Sequence, residues 1–500
     1  MKSTNSKGIL SLIFLFLFFN AAPFYGQSKI DSDRYTIYID KNQAKKAQVE
    51  CILEIRDSLL YMSEIGANQF PSRWAHFVHD LKAETMSGKR INIDSMQGAQ
   101  WRIHSPQGSR IKLSYTVHLD HENFKWNAGV DGAAYARDWG VFYTGRSLFI
   151  VSGEQKEKLQ VSFDISKDWK VSTPWNSTDL SNLKYVVTNQ TALLNSMFFA
   201  GTHEEYVIKR EDFELIFALG GEDIIQQKQS FTSMAKGVLD YYIELMGGVP
   251  NPAPDNKFKK SLVVMNTSLQ TDGEVIGNNI SILLEKNADK MSQLMARFMF
   301  AHEFFHLWNG KSFTPQGDDC EWFKEGVTNY YTLKSLFHIG YLNEQSYLGV
   351  LNSFFYQRYH NDNGVGKLAL IQGDQKHDHW GLIYCGGFFA GISQDMIIRS
   401  STKNQKSMDD VMRTLFQKYG GTNRQYTLSE LMQLMSDSSG KDQTAFFNTY
   451  VSGSKRIALD HYLNMGGFSA EEVDGNISIS TKTDPNQLEE EIINGFFGMN

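Results

Sequence analysis

Residues 302–325 read HEFFHLWNGKSFTPQGDDCEWFKE, and this stretch decides the fold of the second half of the chain. The segment that leads into it, NADKMSQLMARFMFAHEFFHLWNG, has apolar residues at helical spacing and stops at Asn309 and Gly310. His302 and His306 are four positions apart on this predicted helix. One helical turn therefore places both imidazoles on the same face, with their Cβ atoms about 5–6 Å apart.

The spacing of the two histidines predicts a zinc site. Imidazoles at this separation can both reach one zinc ion at about 2.0–2.1 Å. Glu303, beside the first histidine, can accept a proton from water activated by the metal, which is the chemistry of an HExxH helix. A catalytic zinc usually has three protein ligands, and Glu325 follows His306 after 18 residues. Zn²⁺ is favoured over Mg²⁺ or Ca²⁺ because two imidazoles and one carboxylate are not an all-oxygen ligand set.

The connector between the histidines and Glu325 predicts a chain reversal. It contains the turn-forming residues TPQG and a candidate capping box formed by Asp318 and Glu321. Glu325 then opens a second apolar-periodic segment, EGVTNYYTLKSLF. A helix, a reversal and a second antiparallel helix would return Glu325 to the histidine pair.

Length and charge limit the class of protein. Hydrophobic cores stop growing at about 250–300 residues, so a chain of 500 residues is expected to form two large domains. The formal net charge is −7, and the sequence has no basic stripe. No nucleic-acid partner is therefore expected.

The N-terminus, MKSTNSKGILSLIFLFLFFNAAPFYGQS, carries two lysines, an apolar run and then small and turn-forming residues. This layout is typical of a cleaved signal peptide, which we place at residues 1–26. A retained membrane anchor is the alternative. Because no other apolar run is long enough to cross a bilayer, we expect no stable membrane span in the mature chain and an exported protein, periplasmic or secreted.

The rest of the chain divides by texture into a mainly antiparallel β domain at residues 27–220 and a mostly helical domain at 221–468. The first contains alternating runs such as RYTIYID, RIKLSYTVHL, VFYTGRSLFIV and KLQVSFDI, separated by turn residues. The second contains one short buried strand, KSLVVMN, and helical patterns at 288–308, 325–338, 343–358, 384–400, 407–418 and 428–436. Residues 469–500 are polar and acidic and predict a tail or a partial module. The predicted fold class is α+β and multidomain.

The pattern HExxH, 18 residues and then Glu resembles the gluzincin metallopeptidases, which include the aminopeptidase N family. HEFFHLWNGK and EWFKEGVTNYY are similar to the HExxHxWN and WFxEGxTxYY segments of the glycyl aminopeptidase family of zinc peptidases. The similarity continues through GLIYCGGFFAGISQDM and FFNTYVSGSKRIALDHYLNMGG, so residues of about 220–468 match in order. The resemblance implies a thermolysin-like catalytic domain, a Zn²⁺ cofactor and peptide substrates.

The resemblance also implies a role for each site residue. His302, His306 and Glu325 take the metal-ligand positions, and Glu303 is the general base that later donates its proton. Tyr384, in the segment similar to the family's YYxxG helix, takes the place of the tyrosine that hydrogen-bonds the developing oxyanion. Taken alone, Tyr384 would be read as a core tyrosine on an apolar helix.

One segment departs from the related aminopeptidases. QTDGEVIGNNISILL stands where they carry a GGxEH or GxMEN-like segment, whose glutamate binds the α-amine of the substrate. Glu274 is the candidate for that role here. The predicted function is an aminopeptidase for small N-terminal residues (Gly or Ala). The departure leaves open an endopeptidase of the same fold, or a non-catalytic protein that keeps the gluzincin scaffold and binds peptides or a partner.

Two further features lie beside the predicted site. Cys320 and Cys385 each adjoin a site residue, which leads to the hypothesis of a disulfide between them, with Cys51 as the third cysteine. HDHW at 377–380 precedes Tyr384 and is interpreted as a solvated loop, with a cleft wall or a second metal site as alternatives.

Overall fold

The structure is a computed structural model that describes residues 32–126, 132–155 and 157–499. The predicted signal peptide at residues 1–26 lies outside the described residues. The described chain confirms the predicted fold class, with an antiparallel-rich β region followed by a mostly helical region.

The N-terminal β region is built on an eight-stranded sheet. Its strands, in spatial order, are Asn176–Asp179, Lys184–Val187, Leu159–Ile165, Arg34–Ile39, Lys46–Glu54, Arg110–His118, Val78–Thr85 and Arg90–Ile91. Alternation of buried and exposed side chains along Lys46–Glu54 and Arg110–His118 gives each strand one core-facing side. Arg34–Ile39 pairs in parallel with Leu159–Ile165, whereas its other neighbour is antiparallel.

Two four-stranded sheets complete the N-terminal region. One contains Lys170–Ser172, Met197–Gly201, Gly140–Thr144 and Tyr135–Arg137, and the other contains Val151–Ser152, Leu59–Tyr61, Gln100–Ile103 and Ile93–Ser95. Short helices occur at Gly145–Leu148 and Gln190–Leu194, and single 3₁₀ turns at Lys41–Gln43, Arg73–Phe77 and His121–Asn123.

The run VFYTGRSLFIV, predicted as one strand, is broken in the middle. A strand ends at Thr144, the helical turn Gly145–Leu148 follows, and the chain becomes a strand again at Val151–Ser152. The Thr144 hydroxyl caps the turn by accepting from the Ser147 amide, an interaction that competes with strand pairing.

A five-stranded sheet leads into the helical region. Its order is Glu204–Arg210, Phe213–Gly220, Lys260–Ser268, Asn279–Glu285 and Asp272–Ile276. The chain enters this sheet at Glu204, before the predicted domain boundary at residue 220. Glu204–Arg210 and Phe213–Gly220 precede that boundary in sequence but belong to the sheet of the helical region. The last strand, Asp272–Ile276, is antiparallel to its neighbour and forms the border of the sheet; we call it the edge strand.

The helical region contains the predicted helices with modest shifts in their ends. Its α-helices are Glu222–Gln226, Lys228–Met246, Lys290–Phe305, Thr328–His338, Glu344–Val350, Gln357–Asn361, Gly387–Ser401, Met408–Tyr419, Leu428–Ser439, Thr444–Phe446, Leu459–Asn464 and Gln487–Phe497. Wider π-helical turns occur at Trp322–Val327, Leu351–Tyr356, Gly381–Gly386 and Phe447–Val451, and 3₁₀ turns at Pro254–Asn256 and Gly373–Gln375. We call Lys290–Phe305 the motif helix and Gly381–Ser401 the tyrosine helix.

The tyrosine helix is apolar enough to suggest a membrane span, and among the described residues it is the one helix that passes that test by length and composition. However, 94% of its most apolar window is buried inside the protein. It is therefore the central core helix of this region, packed against the segments that carry the candidate site.

The C-terminal segment, for which the sequence left a tail or a partial module open, is folded. Phe468–Val473 and Asn476–Thr481 form an antiparallel hairpin, and Gln487–Phe497 forms a helix. Phe496 and Phe497 are fully buried in the core of the helical region. A few apolar side chains, spaced one helical turn apart, carry the packing of this otherwise acidic segment.

Candidate metal centre and active site

The motif helix presents both histidines from one buried face. Asp289 caps its N-terminus by accepting from the Ser292 amide. Phe304 and Phe305 are fully buried and fix the rotation of the helix against the core. His302 is consequently held at the base of the site, and His306 lies at the C-terminal end of the helix.

Glu325 returns to the histidines from a π-helical turn, Trp322–Val327, that leads into the helix Thr328–His338. The Nε2 atoms of His302 and His306 are 3.2 Å apart. Glu325 Oε2 lies 3.2 Å from His306 Nε2 and 3.4 Å from His302 Nε2. The sequence-predicted trio thus forms one compact triangle, and it is the one such cluster with metal-ligand geometry among the described residues.

The size of this triangle fits a tetrahedral zinc ion. Ligand bonds of about 2.0–2.1 Å at tetrahedral angles separate neighbouring donor atoms by about 3.3–3.4 Å. The three observed donor–donor distances are 3.2, 3.2 and 3.4 Å. The residues present therefore fit zinc in donor type and in spacing.

Asn309 orients His306 and joins the two halves of the site. The Nδ1 atom of His306 lies 2.8 Å from the Asn309 carbonyl, to which it can donate, so that Nε2 is left as the lone-pair donor that faces the cluster. The Asn309 side-chain amide donates to the Lys324 carbonyl at 3.1 Å and to Thr328 Oγ1 at 3.2 Å. Sequence reasoning used Asn309 only as a helix stop, although its place in the HExxHxWN pattern could have indicated this role.

The Glu325 carboxylate is ionised in its buried setting. Burial acts to raise its pKa, but the neighbouring imidazoles of His306 and His302 outweigh burial and hold the pKa well below the ordinary value. The same pairing raises the pKa of His306, against the lowering effect of burial. The ionised form of the carboxylate is the one that can bind a cation.

Tyr384 reaches the site because the tyrosine helix crosses the Glu325 segment with the two backbones in contact. A Cβ at Gly387 would collide with the Trp322 carbonyl, and a Cβ at Gly326 would collide with the Gly387 backbone, so both positions require glycine. The Tyr384 ring lies 6.4 Å from the His302 ring, centroid to centroid.

The Tyr384 phenol stays protonated. Burial, assisted by the negative charges of Glu325, Glu303 and Glu321, raises its pKa above the ordinary value. The ring also stacks on Trp380, with the centroids 5.1 Å apart and an interplanar angle of 14°. Tyr384 is therefore a fixed hydrogen-bond donor beside the histidine pair.

The remaining predicted residues lie around the cluster. Glu303 follows His302 on the motif helix and is half-buried. Glu274 lies in the edge strand and is also half-buried. The edge strand runs beside the motif helix, since a Cβ added to Gly273 would lie 3.1 Å from Met299 Sδ, one turn before His302.

The first half of the HDHW segment is exposed, as expected of a solvated loop, and its second half packs beside Tyr384. His379 Nδ1 pairs with Asp362 Oδ1 at 2.9 Å, and Trp380 forms the stack on Tyr384, whereas His377 and Asp378 are exposed. The described residues contain no second cluster with metal-ligand geometry.

The hypothesis of a disulfide is wrong in this structure. Cys320, Cys385 and Cys51 are free and buried. Each of the first two packs into the core of the helical region, so their closeness to site residues in sequence reflects packing and not a cross-link.

Two protein-family models match the chain. Residues 34–202 match the family model of the peptidase M61 N-terminal domain, and residues 296–384 match that of the M61 glycyl aminopeptidase. No curated protein sequence matches the chain.

Solved structures share the fold. One is an aminopeptidase N family protein from Idiomarina loihiensis, with a TM-score of 0.72 and 17% identity over 88% of this chain and 79% of that one. Another is a point variant of an M1 zinc metallopeptidase from Deinococcus radiodurans, with a TM-score of 0.50 and 10% identity over 86% of this chain and 95% of that one.

The family matches, together with the aminopeptidase-like architecture, define the chain as a metallopeptidase. The two models match its N-terminal β region and the segment from the motif helix to Tyr384, in that order and over more than half of its length. The chain belongs to the M61 glycyl aminopeptidase family.

Proposed function

We propose that the chain is an exported zinc aminopeptidase that removes small N-terminal residues, Gly or Ala, from peptides. The observation that carries the proposal is the triangle of His302 Nε2, His306 Nε2 and Glu325 Oε2, whose edges match a tetrahedral zinc ion. The description of the matching family, glycyl aminopeptidase, supports the substrate class.

The residues around the triangle have distinct tasks in this reaction. Zinc, when bound, supplies a Lewis acid that makes water more acidic and polarises the peptide carbonyl. Glu303 accepts the proton of the attacking water and later returns it to the departing amine. Tyr384, whose raised pKa keeps the phenol protonated, donates a hydrogen bond to the developing oxyanion.

Glu274 is proposed to bind the α-amine of the substrate. It lies on the edge strand, which borders the motif helix one turn before His302. A substrate peptide can align with the free side of such a strand through backbone hydrogen bonds. A carboxylate at this position would then select peptides with a free N-terminus.

An endopeptidase is the second candidate, and one observation favours it. The segment DGEVIGNN lacks the GGxEH or GxMEN-like pattern that related aminopeptidases use to hold the amine. If Glu274 does not hold the amine, peptides with blocked N-termini would be cleaved as well as free ones. A non-catalytic peptide-binding protein would bind such peptides without cleaving them.

One experiment separates the three functions. The purified protein is analysed for zinc and incubated with glycyl and alanyl peptides whose N-termini are free or acetylated. We expect one zinc per chain and cleavage of the free peptides only. Equal cleavage of both sets would establish an endopeptidase, and binding without cleavage would establish the non-catalytic function.

Histidine variants provide the control for the metal assignment. His302→Ala is expected to purify without zinc and without activity, whereas His461→Ala, which changes an exposed histidine on another helix, keeps both. Stoichiometric zinc in His302→Ala would contradict the ligand assignment.

Export rests on residues 1–26. Expression of the full chain in a bacterial host is expected to yield a secreted or periplasmic product whose mass corresponds to cleavage near Gly26. An uncleaved product in the membrane fraction would contradict it and support the anchor.

A further inference from the structure

We propose that Lys324 and Lys376, held by Glu321, are positioning residues. Their ammonium groups pair with one oxygen of Glu325, so that only its other oxygen is available to bind the metal. This inference rests on the proposed zinc function and assigns a task to three residues with no role in the predicted ligand set. Two of them lie on the Glu325 segment, and the third comes from the loop before the tyrosine helix.

The two oxygens of Glu325 face different partners. Oε2 lies 3.2 and 3.4 Å from the two histidine Nε2 atoms. Oε1 lies 3.4 Å from Lys324 Nζ and 3.5 Å from Lys376 Nζ. One oxygen of the Glu325 carboxylate thus faces the two histidines, and the other faces the two lysines.

Glu321 fixes the lysine pair. Its Oε1 is 2.6 Å from Lys324 Nζ, and its Oε2 is 2.6 Å from Lys376 Nζ. These are short charge-assisted hydrogen bonds, so each ammonium has a fixed position from which a further N–H can point at Glu325. Glu321 was predicted from sequence as part of a capping box with Asp318, but its carboxylate bonds to these lysines instead.

The arrangement compensates an otherwise unfavourable pair of charges. Glu321 and Glu325 are four residues apart, their side chains are only 8% and 7% exposed, and like charges at this spacing repel. The two lysines, 22% and 23% exposed, lie between them and balance both charges. With two ammonium groups and two carboxylates, the group of four has no net charge, so neither buried carboxylate lacks a compensating cation.

Lys376 also fastens its loop to the site. The loop backbone at Gly373 packs directly on Glu321, where a Cβ would collide with the Asp318 carbonyl. This contact fixes the base of the loop three residues before Lys376. The loop ends at Trp380, which stacks on Tyr384 in the first turns of the tyrosine helix. The same loop therefore supports both the lysine contact with Glu325 and the position of the phenol ring.

A structural ion-pair network without influence on the metal is the alternative. It predicts that loss of a lysine lowers stability alone. Control of the carboxylate predicts that the metal itself responds, because second-shell partners of a ligand set its orientation and basicity.

The test uses the variants Lys324→Met, Lys376→Met and Lys376→Arg. The control is Lys418→Met, which breaks the exposed ion pair between Lys418 and Glu430, far from the site in sequence. Zinc affinity is measured by competition with a chelator, and the visible spectrum of the Co²⁺-substituted protein reports ligand geometry. We expect about 10–100-fold weaker zinc binding and a changed Co²⁺ spectrum in both methionine variants. We also expect a fall in kcat with little change in KM, partial recovery in Lys376→Arg, and parental behaviour in Lys418→Met.

The proposal is overturned if both methionine variants keep the parental zinc affinity and Co²⁺ spectrum, even if their melting temperatures fall. If neither methionine variant folds, Glu321→Gln replaces them, because it keeps the shape of the side chain but weakens its bonds to the lysines. This variant must then show the same loss of zinc affinity, and parental metal binding in it overturns the proposal. A parent protein that binds no zinc overturns the proposed function together with this inference. A parent that binds zinc and cleaves peptides while the variants bind it equally well overturns this inference alone.

Discussion

The two sides of the proposed cleft are built in different ways. The metal side, formed by His302, His306 and Glu325, lies where buried helices cross, and the orientations of His306 and Glu325 are fixed by hydrogen bonds and ion pairs from several segments. The amine side is the edge strand Asp272–Ile276, which pairs with one neighbouring strand and carries Glu274 half-buried. The metal side is therefore rigid, while the amine side offers a strand border at which a peptide can align.

The largest effect is expected on the metal side, from Glu303→Gln. The amide cannot accept the proton of the attacking water, so kcat is expected to fall by about 10²–10⁴-fold. Zinc content should stay at the parental level, because Glu303 lies outside the triangle of ligand atoms. Substantial peptide cleavage by a zinc-loaded Glu303→Gln protein would contradict the assignment of the base.

Tyr384→Phe is expected to have the next largest effect. The variant keeps the ring that stacks on Trp380 but loses the phenol donor, so kcat is expected to fall by about 10²–10³-fold with KM nearly unchanged. Trp380→Phe is the control, since it weakens the stack and leaves the phenol in place. Equal losses in both variants would show that Tyr384 acts through packing and not through its hydroxyl.

The metal side could be predicted from sequence because its geometry is local. One helical turn brings His302 and His306 together, and one chain reversal between two helices brings Glu325 to them. The spacing of these three residues in the sequence was therefore enough to predict the cluster that the structure shows. The fold class was predicted from alternating apolar residues in the first half of the chain and helical apolar spacing in the second, and it is confirmed. The catalytic roles of these residues stay predictions that the variants above test.

Features that depend on distant segments could not be predicted. Lys376 meets Glu325 across 51 residues, and no local pattern indicates that contact. The strands Glu204–Arg210 and Phe213–Gly220 resemble the preceding β region in texture, yet they pair with the sheet of the helical region. The C-terminal helix is acidic on its exposed side, which concealed the buried phenylalanines that hold it in the core.

On the amine side, Glu274→Gln is expected to have a smaller effect. Loss of a charge-assisted hydrogen bond to the substrate amine, worth about 1.5–3 kcal/mol, lowers kcat/KM for free N-termini by about 10–100-fold. Cleavage of acetylated peptides should not change, so the preference for free over blocked N-termini falls by the same factor. If the preference for free over blocked N-termini does not change, Glu274 does not bind the amine, and the edge strand is not the amine side of the cleft.

The smallest expected effect lies within the metal side and tests how far its rigidity depends on Asn309. Thr328→Val removes the hydroxyl that accepts from the Asn309 amide at 3.2 Å and keeps the bond from that amide to the Lys324 carbonyl. Since one hydrogen bond contributes about 1 kcal/mol, the free energy of unfolding should fall by about that amount. Zinc affinity should fall by only a few-fold, because one of the two ties between the ligand segments remains.

Thr332→Val is the matched variant for this measurement. Its hydroxyl donates to the Thr328 carbonyl inside the same buried helix, at 2.8 Å, and has no bond to Asn309 among the described contacts. Both variants should lose similar stability in denaturant titrations, but only Thr328→Val should release zinc faster to a chelator. If the two release zinc at the same rate, the stability of the helix alone positions Glu325. The rigidity of the metal side would then arise from the buried helix crossing at Gly326 and Gly387 and not from the hydrogen bonds of Asn309.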